Sequence, residues 1–147
     1  MTRPSLITGG AGFIGSNYVH RLLDAGHNVR IFDTRSRAGT GPNLTWLRET
    51  HGTDAFELIE GDVRDADAVA NAVRGVDVVA HLAAQVAVTT SVSDPRTDYE
   101  INVGGTFNVL EAARALETPP IVLFASTNKV YGEMDDVAVV EEETRFA

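Results

Sequence analysis

The run Leu6-Ile7-Thr8-Gly9-Gly10-Ala11-Gly12-Phe13-Ile14-Gly15 constrains this chain more than any other stretch. An apolar segment enters a cluster of glycines, and an amphipathic segment follows at once. That order predicts a first strand, a tight glycine turn and a first helix. Glycine is needed for two reasons. Some turn positions call for positive φ, and a pyrophosphate must come close to bare backbone N–H groups at the helix start. The helix N-terminus carries partial positive charge, so it holds an anion without a basic side chain. Two registers fit. Gly10, Gly12 and Gly15 satisfy G-x-G-x-x-G, while Gly9, Gly12 and Gly15 satisfy G-x-x-G-x-x-G. The pattern alone does not choose between them. Glycine turns also serve packing, but the flanking strand and helix favour a dinucleotide site.

Asp33 ends the next apolar run, close to the expected distance of about 20 residues from the turn. A carboxylate at that strand end accepts hydrogen bonds from both ribose hydroxyls of an adenosine and repels a 2′-phosphate. It therefore favours NAD over NADP. The plainer alternative is an ordinary loop aspartate. Arg35 and Arg37 follow in a Ser, Arg, Gly, Thr and Pro-rich loop (35–43), where a phosphate or adenine-edge contact is expected.

Alternating apolar runs and amphipathic segments continue along the chain. A helix is expected over 13–25, with Ile14, Tyr18 and Leu22 on its apolar face and a stop at Gly26. Strand two covers 28–33. A short helix over 43–50 packs Trp46 and Leu47 on the sheet. Strand three covers 55–60, and Gly61-Asp62-Val63 follows. Asp62 is placed to accept from an adenine amino group with Val63 on the ring; the alternative is a helix cap. A helix over 65–74 precedes the apolar strand 76–81, which ends at His81.

A lone His there is more often packed and hydrogen-bonded than a base or a ligand. No second His or acid stands at ligand spacing from it, so no metal is assigned. Leu82, Ala83, Ala84 and Gln85 follow, with small side chains that let backbone approach a ligand. Residues 85–91 read as a loop over the site. Asp94-Pro95 starts a helix reaching about Leu116, with Val103, Phe107, Leu110 and Ala113 on its apolar side. Gly104-Gly105 inside it costs about 1 kcal/mol each relative to Ala, an expense that close packing would offset. Asn102, just before these glycines, is read as facing the cofactor end. Strand five covers 121–126 and runs into Ser126-Thr127-Asn128-Lys129-Val130-Tyr131-Gly132.

The chain has 147 residues, enough for one domain with a real core. It lacks cysteine, which excludes disulfides and thiolate metal sites and fits a reducing cytoplasm. No run has transmembrane length, and no signal peptide is read at the start, so no membrane partner is expected. The net charge of −9 disfavours a nucleic-acid partner but not a nucleotide held by backbone dipoles. The acidic run from Glu133 to Glu143 is read as a solvated surface loop.

Thr8-Gly9-Gly10-Ala11-Gly12-Phe13-Ile14-Gly15, Asp33, Gly61-Asp62-Val63, His81-Leu82-Ala83-Ala84, Asn102-Val103-Gly104-Gly105-Thr106 and Val130-Tyr131-Gly132 together resemble the extended short-chain dehydrogenase/reductases, the NAD-dependent sugar-nucleotide epimerase/dehydratase family. Within it, residues 85–91, 100–106 and 126–132 are similar to the 2-epimerases of CDP-deoxyhexoses. The resemblance implies a Rossmann-like, doubly wound α/β fold, with about five parallel strands in the order 3-2-1-4-5 and helices on both faces. It makes Gly9, Gly12, Phe13, Ile14 and Gly15 the pyrophosphate loop and Asp33 the ribose ligand, with Ser36 and Arg37 nearby. Asp62 and Val63 become adenine contacts, and Leu82, Ala83, Ala84, Gln85 and Asn102 line the cofactor channel.

Thr127 matches the family's catalytic Ser/Thr, and Gln85, Thr89, Thr127 and Asn128 face a nucleotide-sugar substrate. The implied reaction is epimerisation by transient hydride transfer to tightly bound NAD through a keto-sugar, in a homo-oligomer. A 4-epimerase, a 4,6-dehydratase or a non-catalytic NAD-binding fragment are the alternatives. One departure stands out. The family pairs a catalytic Tyr with a Lys four residues on, yet Asp135 stands at that distance from Tyr131. The chain then reads as the NAD-binding N-terminal part, residues 1–147, of a longer enzyme whose substrate-binding part lies beyond it.

Overall fold

The apolar strands are the organising layer. In the computed structural model, which describes residues 3–126, 132, 140, 143 and 144, they form an all-parallel sheet. β1 (Ser5–Thr8) lies between β2 (Val29–Asp33) and β4 (Val78–His81). β3 (Glu57–Glu60) and β5 (Ile121–Phe124) close the two edges, giving the expected order 3-2-1-4-5. The register aligns Thr8 with Phe32 and with His81, so the strands end together along one rim.

Side chains alternate across the sheet and feed two cores. Ile7, Ile31 and Ala80 point to one face, where α1 (Phe13–Asp24) and α2 (Thr40–His51) lie over them with Val19, Leu44 and Leu47. Leu6, Phe32 and Val79 point to the other, against α3 (Ala66–Val73) and α6 (Gly105–Arg114) with Val69, Val73, Val109 and Ala113. Leu6 and Ile7 are fully buried, and each such side chain contributes about 1.5–3 kcal/mol of transfer free energy. α3 begins at Asp65, whose carboxylate accepts from the N–H groups of Asp67 and Ala68 at 3.0 Å each.

Several local expectations need correction. Residues 88–91, part of the stretch 85–91 read as loop, belong to the short helix α4 (Val88–Ser93). The long helix from Pro95 is not continuous. α5 (Pro95–Tyr99) passes through wider π-type turns over Glu100–Gly104 into α6. Val103, Phe107 and Leu110 are exposed, and the buried stripe is Gly105, Val109 and Ala113. A Cβ on Gly105 would sit 2.5 Å from Val63, so that glycine serves close packing, whereas Gly104 has open space around it. On α1 and α2, Ile14 and Trp46 are exposed rather than packed on the sheet; Trp46 lies against the His20 ring at 5.0 Å.

Candidate cofactor-binding site at the strand ends

The rim where the strands end carries most of the residues singled out above. Gly9 turns the chain out of β1 at φ +69°, and its N–H donates to the Phe32 carbonyl at 2.8 Å. A Cβ there would come within 2.8 Å of the Ala83 backbone nitrogen, and one on Gly15 would overlap the Gly9 carbonyl. These are backbone collisions, which no rotamer relieves. They favour the Gly9, Gly12, Gly15 register. Gly12 precedes α1 without any side-chain cap, so the first-turn N–H groups of Phe13, Ile14 and Gly15 carry the helix dipole toward the rim. Phe13 and Ile14 are exposed beside it.

Asp33 joins this turn from β2. One carboxylate oxygen accepts from the Ala11 N–H at 3.0 Å and the other from the Arg35 N–H at 2.8 Å. The residue is buried, which holds the carboxylate in one orientation. Each oxygen keeps a further lone-pair direction for a hydroxyl donor. Asn43, which the sequence reading did not single out, donates to the Ala11 carbonyl at 2.8 Å and ties α2 to the same turn. In sequence it stands at the border of the expected loop 35–43 and helix 43–50, and it lies inside α2. Ser36 is exposed and hydrogen-bonds to Thr34. Arg37 reaches the Gln85 side-chain carbonyl at 3.1 Å and so bridges the loop after β2 to the segment after β4.

Beyond β4 the arrangement is a chain of polar side chains. Thr8 Oγ1 accepts from the N–H groups of Leu82 and Ala83, each at 3.2 Å, and lies 2.7 Å from His81 Nδ1. His81 Nε2 lies 3.1 Å from Thr106 Oγ1, which donates to the Asn102 carbonyl at 2.6 Å. One proton assignment satisfies every member: a neutral imidazole with hydrogen on Nε2, accepting from Thr8 at Nδ1. Burial pushes the His81 pKa below its ordinary value and keeps that form. His81 is thus the packed residue expected.

Asn102 grips Gln85 rather than opening toward the rim. Its carbonyl accepts from the Gln85 N–H at 2.8 Å, and its amide donates to the Gln85 carbonyl at 3.0 Å and to Asp98 at 3.1 Å. Ala84 and Thr89 are exposed, while Leu82 and Ala83 are half-buried.

Asp62 follows β3. Its carboxylate pairs with Arg64 at 2.6 Å, and that hydrogen bond holds its pKa below the usual carboxylate range. Val63 is buried against α6. Thr127 and Asn128 lie outside the described residues. No helix among the described residues is long and apolar enough to cross a membrane.

Comparison with known proteins agrees with this geometry. A family model described as GDP-mannose 4,6 dehydratase matches residues 6–147. CDP-paratose 2-epimerase of Salmonella typhi is 43% identical over 143 residues, covering 96% of this chain and 41% of that protein. dTDP-glucose 4,6-dehydratase of Mycolicibacterium smegmatis is 35% identical over 145 residues, covering 96% of this chain and 42% of that protein. The crystal structure of UDP-glucose-4-epimerase from Stenotrophomonas maltophila with bound NAD and formylated UDP-arabinopyranose superposes with a TM-score of 0.79 at 31% identity, over 90% of this chain and 39% of that one. The chain therefore spans about two fifths of the length of these relatives. With its sheet order, glycine turn and strand-end aspartate accounted for, this chain belongs to the GDP-mannose 4,6-dehydratase family of extended short-chain dehydrogenase/reductases.

Proposed function

We propose that this chain is the NAD-binding portion of an NAD-dependent nucleotide-sugar epimerase, acting at C2 of a CDP-deoxyhexose. One observation carries the cofactor reading. The uncapped N-terminus of α1 and the buried carboxylate of Asp33 converge on one turn through the Ala11 N–H. The fit is chemical: bare N–H groups suit a pyrophosphate, and the remaining lone pairs of Asp33 suit ribose hydroxyls. Gly9, Gly12, Phe13, Ile14 and Gly15 hold the pyrophosphate, Asp33 the ribose with Ser36 and Arg37 beside it, and Asp62 and Val63 border the adenine. Leu82 to Gln85 border the nicotinamide end, with Asn102 fixing Gln85 from behind. Bound there, NAD supplies a reversible hydride acceptor. The family supports NAD-dependent chemistry on a nucleotide sugar, and the 43% identity to CDP-paratose 2-epimerase supports epimerisation, C2 and the CDP-sugar.

The chain's own residues do the positioning. Asp33 orients the adenosine half, and Gln85, with Thr89, Thr127 and Asn128, faces the nucleotide sugar. Thr127 hydrogen-bonds the reacting oxygen. The catalytic Tyr and Lys lie in the further chain of a longer, cytoplasmic homo-oligomer. Two features support more chain packing at the β5 edge. Ile121, Leu123 and Phe124 stand exposed there, and the neighbouring hollow is lined by His81, Thr106, Val109, Leu110 and Val122.

The test is product analysis with the full-length protein and CDP-paratose. Interconversion with its C2 epimer, without net cofactor reduction, supports the reading. A 4-keto product makes it a dehydratase, and turnover of UDP-sugars alone makes it a 4-epimerase. Thr127→Val slows turnover by about 10²-fold or more while sparing NAD affinity; a normal rate removes its role. A second reading, an NAD-binding module without catalysis, rests on the absence of any Tyr with Lys four residues on in this sequence.

A further inference from the structure

We infer that His20, Asp24 and His51 form a divalent transition-metal site between α1 and α2, separate from the strand-end rim. His20 and Asp24 are four residues apart and share one face of α1. Leu44 and Leu47 hold α2 on the same core as Val19 of α1, and His51 follows one turn after Leu47. His20 Nδ1 and His51 Nε2 face each other at 2.7 Å, and His20 Nε2 lies 3.3 Å from the Asp24 carboxylate. One ligand atom from each of the three residues lies within 4.8 Å of the other two.

The chemistry favours a metal over an ordinary ion pair. Two imidazole nitrogens at hydrogen-bond distance share a single proton, so at least one presents a lone pair to the other. A metal takes that proton's place. With bonds of about 2.0–2.2 Å to nitrogen and oxygen, ligand atoms sit slightly over 3 Å apart, so the three ligand atoms, now within 4.8 Å of one another, draw together on the ion by rotation of the exposed Asp24 side chain and the His20 ring. The two neutral imidazoles and the Asp24 carboxylate neutralise half of a divalent charge. They also leave a coordination position facing solvent, since the Asp24 side chain is 60% exposed. Imidazole with carboxylate suits zinc, cobalt and nickel and is poorly matched to calcium or magnesium. The His51 side chain is only 10% exposed, so this ligand is pre-positioned. His20 and Asp24 carry an i,i+4 signal in the sequence, but His51 is brought in by tertiary packing alone. Spacing around His81 gave no hint of it.

Trp46, the single tryptophan of the sequence, lies 5.0 Å from the His20 ring and reports on the site. The experiment is Zn²⁺ calorimetry on the untagged chain at neutral pH, with Co²⁺ titration followed by Trp46 fluorescence. The expected result is one Zn²⁺ per chain at a dissociation constant of about 10 μM or tighter, with Co²⁺ quenching Trp46. His51→Gln and Asp24→Asn each weaken Zn²⁺ by about tenfold or more and abolish the quench, while NAD affinity is unchanged. Asp24→Asn, at an exposed position, carries the test if His51→Gln does not fold. Absent Zn²⁺ binding, or variants that bind like the native chain, overturns the inference. Neither outcome bears on the cofactor reading, which involves none of these residues.

Discussion

The two sides of the strand-end rim are built by different means. From β1 to β2, backbone does the work: Gly15 leaves room for the Gly9 carbonyl, Gly9 leaves room for the Ala83 backbone, and Asp33 locks onto the Ala11 and Arg35 N–H groups. From β4 to the π-type turns, side chains do it. Thr8, His81, Thr106, Asn102 and Asp98 form a relay that places Leu82 to Gln85. The first side should fail when an atom is added. The second should fail when a polar atom is removed or a proton gained.

The largest effect expected is on the backbone side. Gly15→Ala forces the turn apart and costs about 3 kcal/mol or more of stability, read from denaturant midpoints. Gly41→Ala, in α2 with open space around it, should instead be neutral or stabilise by up to about 1 kcal/mol. Equal effects at both positions would break the distinction. Next, Asp33→Ala removes the ribose acceptor and an anchor of the turn; NAD affinity should fall by about 10–100-fold in calorimetry.

On the side-chain side, Asn102→Ala leaves the Gln85 backbone groups short of partners and costs about 1–2 kcal/mol. That loss should appear as faster amide exchange around Gln85 with little change at Ala11. Uniform exchange along the whole rim would show that the two sides act as one.

The smallest effect is on pH. The pKa of His81 is lowered on folding, so the unfolded chain binds the extra proton first. Its contribution to stability is complete above the unfolded value of about 6.5 and fades as pH falls below it. Thermal melts between pH 7.5 and 5.5 should show this slope in the native chain and a reduced one in His81→Gln. Identical slopes would remove His81 from the relay.

This difference also explains what the sequence made legible. The glycine turn, Asp33 and the existence of five short strands follow from local rules, while the strand order comes with the family resemblance. Such rules are a positive φ, an uncapped helix start, and apolar runs short enough to be buried strands. The side-chain half depends on partners far apart in sequence. Asn102 reads as a polar residue near the rim, but only the fold shows its amide closed on Gln85. The helix from Pro95 has two apolar stripes, Val103-Phe107-Leu110 and Gly105-Val109-Ala113. Periodicity reports that stripes exist and not which neighbour covers them. Residues 88–93 are β-branched and hydroxyl-rich, poor helix formers by propensity. Their helix rests on tertiary placement, with Ser91 donating to Asp98 of α5 at 2.6 Å.

The most direct test of the central claim is calorimetric titration of NAD and NADP into the chain, native and Asp33→Ala, repeated on the full-length protein. The account predicts NAD-selective binding that Asp33→Ala weakens. Equal affinity for NAD and NADP, or an unchanged affinity in Asp33→Ala, would contradict it.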